Sequence, residues 1–218
     1  RDYVIVGQPI RYYVGVLASA KPTSVTIDGV NATELTDYNV VPQPSGSATS
    51  KTVWYIDWTQ NAKGTYNMTV VATVDGMTNE NKDGSVKVAG LIVENNTTDL
   101  TKDGAKMYVL RNNNYTNTYL TAVNNNLSAN AELNYYNLFA FENNNRIKSV
   151  ARGTYCNGTN GPISFNPTGT QYTFTTSGQN NRIYYRNNNN YYYIRQTSTS
   201  NVTINNSTND RNWQICPV

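Results

Sequence analysis

Histidine is missing from all 218 residues. That removes the commonest general base, the Ser-His-Asp and Cys-His arrangements, and the usual nitrogen ligand of zinc. Charge is scarce as well: Lys, Arg, Asp and Glu together make up 14% of the chain, well below the usual quarter. The solvent face must then be built from uncharged polar groups, chiefly Asn and Thr, a composition commoner outside the cell than inside it. The net charge of +3 is spread out, and no run of Lys or Arg supplies a phosphate-tracking stripe. Nucleic acid is not an expected partner.

Cysteine occurs twice, at Cys156 and Cys216, too far apart in sequence for a CxxC redox or zinc motif. Two readings stay open: one disulfide in an oxidising compartment, or two small buried hydrophobic residues. No apolar run is long enough for a membrane span and none reads as a signal peptide. The chain opens on Arg1 rather than Met, as expected of a processed or trimmed chain. Carboxylates are sparse, and in the second half Asp103, Glu132, Glu142 and Asp210 show no spacing that argues for a glycosidase pair. The Asp and Asn sets lack an EF-hand pattern. The expectation is a protein without catalytic residues, metal or cofactor.

Helical periodicity is also absent. Tyr, Val, Thr and Ile fill the ordered-looking segments, and Gly, Asn, Asp and Pro interrupt them at short intervals. The fold class is therefore all-β. Composition shifts near residue 98, beyond which Asn runs appear at 112–114, 124–126, 143–145 and 187–190. The polar stretch Glu94-Asn-Asn-Thr-Thr-Asp99 reads as a linker, giving expected domains at 1–98 and 99–218.

In the first part, Ile10, Tyr12, Val14, Val16 and Ala18 alternate, and so do Trp54, Ile56 and Trp58. Asp28-Gly29 and Asp75-Gly76 are tight-hairpin signals, and Ser85-Val-Lys-Val88 supplies a last strand. Gly64-Thr-Tyr66 matches a tyrosine corner, and with it this part resembles an immunoglobulin-like β-sandwich. The resemblance implies a buried Tyr66 hydroxyl bonded to backbone near Asn61. Met68 stands where antibody domains carry a cysteine, so no inter-sheet disulfide is expected. Cysteine-free sandwiches of this sort are used by many bacterial surface proteins.

The second part repeats with a period of about 37 residues. Tyr108-Val-Leu-Arg-Asn-Asn-Asn114 aligns with Ile183-Tyr-Tyr-Arg-Asn-Asn-Asn189, and Arg146-Ile-Lys-Ser-Val150 opens a weaker middle copy. Each copy closes on a similar strand, at Leu138–Phe141, Tyr172–Phe174 and Trp213–Ile215. Three copies of four short strands resemble a β-trefoil, with "Tyr-Leu-x-Ala" at Tyr119–Ala122 similar to fascin-type and ricin-B-type units. A second sandwich is the competing reading. The ricin-type Gln-x-Trp mark is missing, since here Trp213 precedes Gln214.

Sugar sites on such folds pair an aromatic face with amide partners. Eighteen tyrosines supply the first, and Tyr191-Tyr-Tyr193 directly follows the Asn187–Asn190 run. Strand alternation turns Tyr191 and Tyr193 outward when Tyr192 is core. The candidate ligand-binding residues are thus Tyr191, Tyr193 and Asn189, with Asn114 and Tyr115 at the equivalent turn of the first copy. The competing reading is structural: Tyr is a good strand residue, and Asn suits turns needing positive φ. Asn-x-Ser/Thr triplets, as at Asn31, Asn67, Asn114, Asn157 and Asn201, are expected by chance at this composition. The resemblance implies an extracellular or outer-surface protein, in the manner of bacterial surface lipoproteins, whose partner is a glycan or polysaccharide. The alternative is a protein-interaction or adhesion module binding a surface protein.

Overall fold

The structure, a computed structural model, describes residues 3–218. The fold is all-β, and among the described residues the only helical turn is a 3-10 turn at Tyr135–Asn137. No helix of the described residues is long and apolar enough to cross a membrane. The chain divides into two compact units, residues 1–89 and 90–218.

The first unit contains β1 (Val4–Ile5), β2 (Ile10–Ala18), β3 (Ser24–Ile27), β4 (Val30–Asn31), β5 (Thr33–Glu34), β6 (Ser50–Trp58), β7 (Gly64–Val74) and β8 (Met77–Ala89). They form two sheets, ordered β1-β8-β7-β3-β4 and β2-β6-β5, with β1 running parallel to β8. Both Asp-Gly pairs make two-residue hairpin turns: Asp28 and Gly29 have φ of 50° and 75°, Asp75 and Gly76 of 51° and 76°. Positive φ at both central residues matches the twist of the flanking strands. Val14, Trp54, Ile56 and Trp58 from one sheet meet Val25, Ile27, Met68, Val70 and Val88 from the other in a shared core. Alternation places Trp54, Ile56 and Trp58 inward and leaves Asp57 exposed.

Tyr66 donates its hydroxyl to Ala62 O at 2.9 Å and meets the Trp58 ring edge-on at 5.5 Å. The backbone bond falls where the tyrosine-corner resemblance put it, but the side chain is half-buried rather than buried, because the strand opens at the unit's end among exposed residues. Tyr66→Phe is therefore expected to cost the first unit about 0.5–1.5 kcal/mol, the net worth of one hydrogen bond with partial access to water. Urea denaturation checks this; a loss above about 3 kcal/mol would mean that the ring itself had been displaced.

The second unit contains β9 (Met107–Asn112), β10 (Tyr119–Thr121), β11 (Ser128–Asn130), β12 (Phe139–Phe141), β13 (Ile147–Ser149), β14 (Tyr155–Asn157), β15 (Ser164–Asn166), β16 (Thr173–Ser177), β17 (Asn180–Asn187), β18 (Asn190–Gln196), β19 (Val202–Asn205) and β20 (Trp213–Pro217). β9 pairs with β12, β12 with β13, β16 with β17, β17 with β20, and β20 with β9. Between β13 and β16 the link is a backbone bond from Tyr172 N to Asn145 O, 2.9 Å. The remaining strands form the hairpins β10–β11, β14–β15 and β18–β19. These hairpins touch through Leu127 N to Ile163 O, Ala129 N to Ser200 O and Ile204 N to Gly161 O.

The buried side chains fall in threes at matching places along the copies: Leu110, Ile147 and Ile183; Leu120, Cys156 and Ile194; Leu127, Ile163 and Val202; Phe139, Tyr172 and Trp213. Strand pairing sets Leu110 opposite Ile215 and Ile183 opposite Phe174, so the first and third copies match two residues away from the sequence alignment of Tyr108 with Ile183. Residues of all three copies join in this one core.

The segment read as a linker belongs instead to this unit. Glu94 N and Thr97 N donate to Pro217 O and Ile215 O, and Asn96 Oδ1 accepts from Ile215 N at 2.7 Å. The segment satisfies β20 backbone groups that the short β17 contact leaves free, and the division between units falls after Ala89 rather than after residue 98.

Candidate functional site

The β17–β18 hairpin turns at Asn188 and Asn189, with Asn187 opposite Asn190 and Asn188 at φ 52°. Asn tolerates this left-handed conformation better than most residues, which is why an Asn run serves here. The turn fixes the register: Tyr184 lies opposite Tyr193, and Arg186 opposite Tyr191. Alternation then sends Ile183 and Ile194 into the core, with Tyr185 and Tyr192 packed against it. Arg182, Tyr184, Arg186, Tyr191, Tyr193 and Arg195 share the other face.

On that face the Tyr184 ring stands 5.3 Å from Tyr191 and 5.5 Å from Tyr193, tilted by 60° and 55°. Arg186 lies over the Tyr191 ring at 5.4 Å and is steadied by a bond from its Nε to Asn188 O. Arg211, arriving from the loop before β20, covers the Tyr193 ring at 4.3 Å. Tyr191 is 39% exposed, while Tyr193 is half-buried beneath its arginine. Asn189 is exposed at the turn.

A polar rim borders this face. Arg182 Nε donates to Asn212 Oδ1 at 3.0 Å, and Arg195 Nη2 lies 3.5 Å from Asp210 Oδ2. Asp210 also accepts from the Asn114 amide through Oδ1, and its carbonyl accepts from Asn112 Nδ2. Asn114 and Tyr115 thus occupy a separate turn, braced by Asn112 Oδ1 and by Thr118, which donates to Tyr115 O at 3.1 Å. The loop carrying Asp210 and Arg211 connects the two places: one residue holds Asn114, the next covers Tyr193. Asn114 spends its amide on Asp210, and Tyr115 is half-buried.

On its other side Arg186 lines an open cleft of about 710 Å³ with Asn145, Arg146, Thr173 and Tyr185. Arg146 Nε is buried there without a hydrogen-bond partner among the described residues. Lys102 Nζ donates to Asn145 Oδ1 at 3.2 Å.

Chemically this arrangement offers ring edges, guanidinium forks and amides, which together recognise and hold. Asp210 is the carboxylate of the rim, and it is engaged by Arg195 and Asn114. The two cysteines take no part. Both are buried free thiols, which decides the open question of their pairing against a disulfide. Burial pushes the Cys156 thiol up to about 12, and it raises Cys216 as well, against the opposing pull of the Arg111 charge.

Tyr191 and Tyr193 share one face through Tyr184, and Asn189 is exposed at the adjoining turn; Tyr184, Arg186, Arg211 and Asp210 were not legible as neighbours of the tyrosines. The period-two patterns Arg182-x-Tyr184-x-Arg186 and Tyr191-x-Tyr193-x-Arg195 carry that signal for the hairpin. Nothing local announces Arg211, which reaches the face from a loop. Compared with protein-family models, with curated proteins and with solved structures, the chain shows no match.

Proposed function

We propose that this is a secreted or cell-surface, non-catalytic binding protein of bacterial type, an immunoglobulin-like β-sandwich followed by a β-trefoil, that binds carbohydrate polymer through its second unit. The sandwich reading draws on the parallel β1–β8 pair, the order β8-β7-β3-β4 facing β2-β6-β5, and the Tyr66 bond to Ala62 O. The trefoil reading draws on the ring of six strands, the three touching hairpins and the triplets of core residues. A surface with so few charges favours the extracellular setting.

The observation that carries the functional reading is the outward face of β17–β18, where Tyr184, Tyr191 and Tyr193 cluster beside guanidinium and amide donors. Aromatic rings beside such donors fit a sugar's CH groups and hydroxyls. A shallow open face of this kind holds single sugars weakly, with Kd near a millimolar, roughly −4 kcal/mol. A polymer engaging this face and the Tyr115 turn together gains through effective concentration. A glycan array probed with the whole chain tests the reading. Polysaccharides and glycan-coated spots are expected to retain it, with monosaccharides competing only at millimolar concentrations. No retention anywhere on the array would transfer the face to a protein partner.

A further inference from the structure

We infer that the polymer held at this face is polyanionic, a glycan carrying carboxylate or sulfate groups; this rests on the carbohydrate reading above. The first ground is what occupies the tyrosine rings. Arg186 and Arg211 lie over Tyr191 and Tyr193, so those ring faces are already covered by cations. A neutral pyranose loses stacking surface there. What the face presents instead is two guanidinium groups over aromatic rings, 5.4 and 4.3 Å from the ring centroids. Apart from the Arg186 Nε bonded to Asn188 O, their N–H donors suit planar or tetrahedral oxyanions.

The second ground is charge. Arg182 and Arg195 flank the same rings, and the cleft beyond Arg186 adds Arg146, whose buried Nε lacks a partner among the described residues. Among the described residues, the one cation that Asp210 pairs with is Arg195. The second unit carries ten Lys and Arg against six Asp and Glu, whereas the first carries seven against eight. The excess positive charge of the chain therefore lies in the unit with the tyrosine face. The cations run from Arg146 through Arg186 to Arg211, which suits a chain of repeated charges better than one small anion.

A single-stranded nucleic acid is the other polyanion to weigh. It binds by stacking bases on open aromatic faces. Here two faces are covered and the rings are tilted 55–60° from one another, which leaves no flat platform.

The test measures retention of the full chain on immobilised dextran, dextran sulfate, polygalacturonate and oligothymidylate. The variants are the pair Arg186→Gln/Arg211→Gln and, as a control elsewhere on the second unit, Lys106→Gln, with circular dichroism to confirm folding. Retention is expected on dextran sulfate, polygalacturonate or both, at least about tenfold above dextran, reduced about tenfold by the arginine pair and less than about twofold by Lys106→Gln. Which polymer retains the chain distinguishes sulfate from carboxylate. Equal retention on dextran would overturn the anionic inference and leave the carbohydrate reading standing. No retention on any polysaccharide would remove both. Tightest binding to oligothymidylate, or equal losses in the arginine pair and the lysine control, would also overturn it.

Discussion

Replacing Trp213 with alanine is expected to destabilise the second unit by about 3–5 kcal/mol. The side chain is fully buried in the unit's core, and its indole Nε1 donates to Ile194 O at 2.9 Å. Its backbone lies opposite Asn112 of β9 and Asn181 of β17, so one residue joins three strands of the ring. Truncation leaves a cavity and an unpaired carbonyl where the third copy closes. Against the 5–15 kcal/mol typical of a whole domain, that is a large share. Trp213→Phe refills much of the volume but not the hydrogen bond, and is expected to cost about 1–3 kcal/mol. Urea denaturation followed by far-UV circular dichroism checks both, since the other two tryptophans, Trp54 and Trp58, belong to the first unit. A loss below about 1 kcal/mol for the alanine variant would contradict this packing.

Gly169→Ala is the second large effect, at about 2–5 kcal/mol. Gly169 has φ of 68°, and a Cβ there would stand 2.4 Å from Tyr155 Cβ, closer than side-chain atoms can approach. Backbone strain accounts for part of the cost and the forced displacement of β14 for the rest. Gly153→Ala separates the two, because Gly153 has a similar φ of 66° and nothing near its Cβ position. The control is expected to lose only about 1–2 kcal/mol, the left-handed penalty alone. Equal losses in both variants would show that β14 does not approach Gly169 so closely.

Much of the architecture was legible because it depends on local signals. Alternation at Trp54, Ile56 and Trp58, both Asp-Gly turns and the repeated closing strands each express a constraint acting over a few residues. β8 illustrates the limit: it runs from Met77, not from Ser85, although Asn79, Asn81, Asp83 and Gly84 are poor strand formers. The hairpin turn at Asp75-Gly76 carries the ladder through them, so pairing overrides propensity. The same holds for Glu94–Thr97, polar in sequence yet bonded along β20.

The candidate site divides along the same line. Tyr191 and Tyr193 are outward because neighbours alternate, a property of one strand. Their association with Tyr184 requires the register of two strands, and the cover of Tyr193 by Arg211 requires a loop eighteen residues further on. Asn114 shows the converse: its turn resembles that of Asn189 in sequence and both residues are exposed, yet the Asn114 amide is committed to Asp210.

The most direct test of carbohydrate binding at the tyrosine face is affinity electrophoresis of the chain through gels containing a polysaccharide that retains it on the array. Tyr191→Ala combined with Tyr193→Ala is expected to abolish most of the retardation, and Tyr115→Ala to weaken it less, with circular dichroism unchanged in each. Full retardation of a folded Tyr191→Ala/Tyr193→Ala variant would contradict the account.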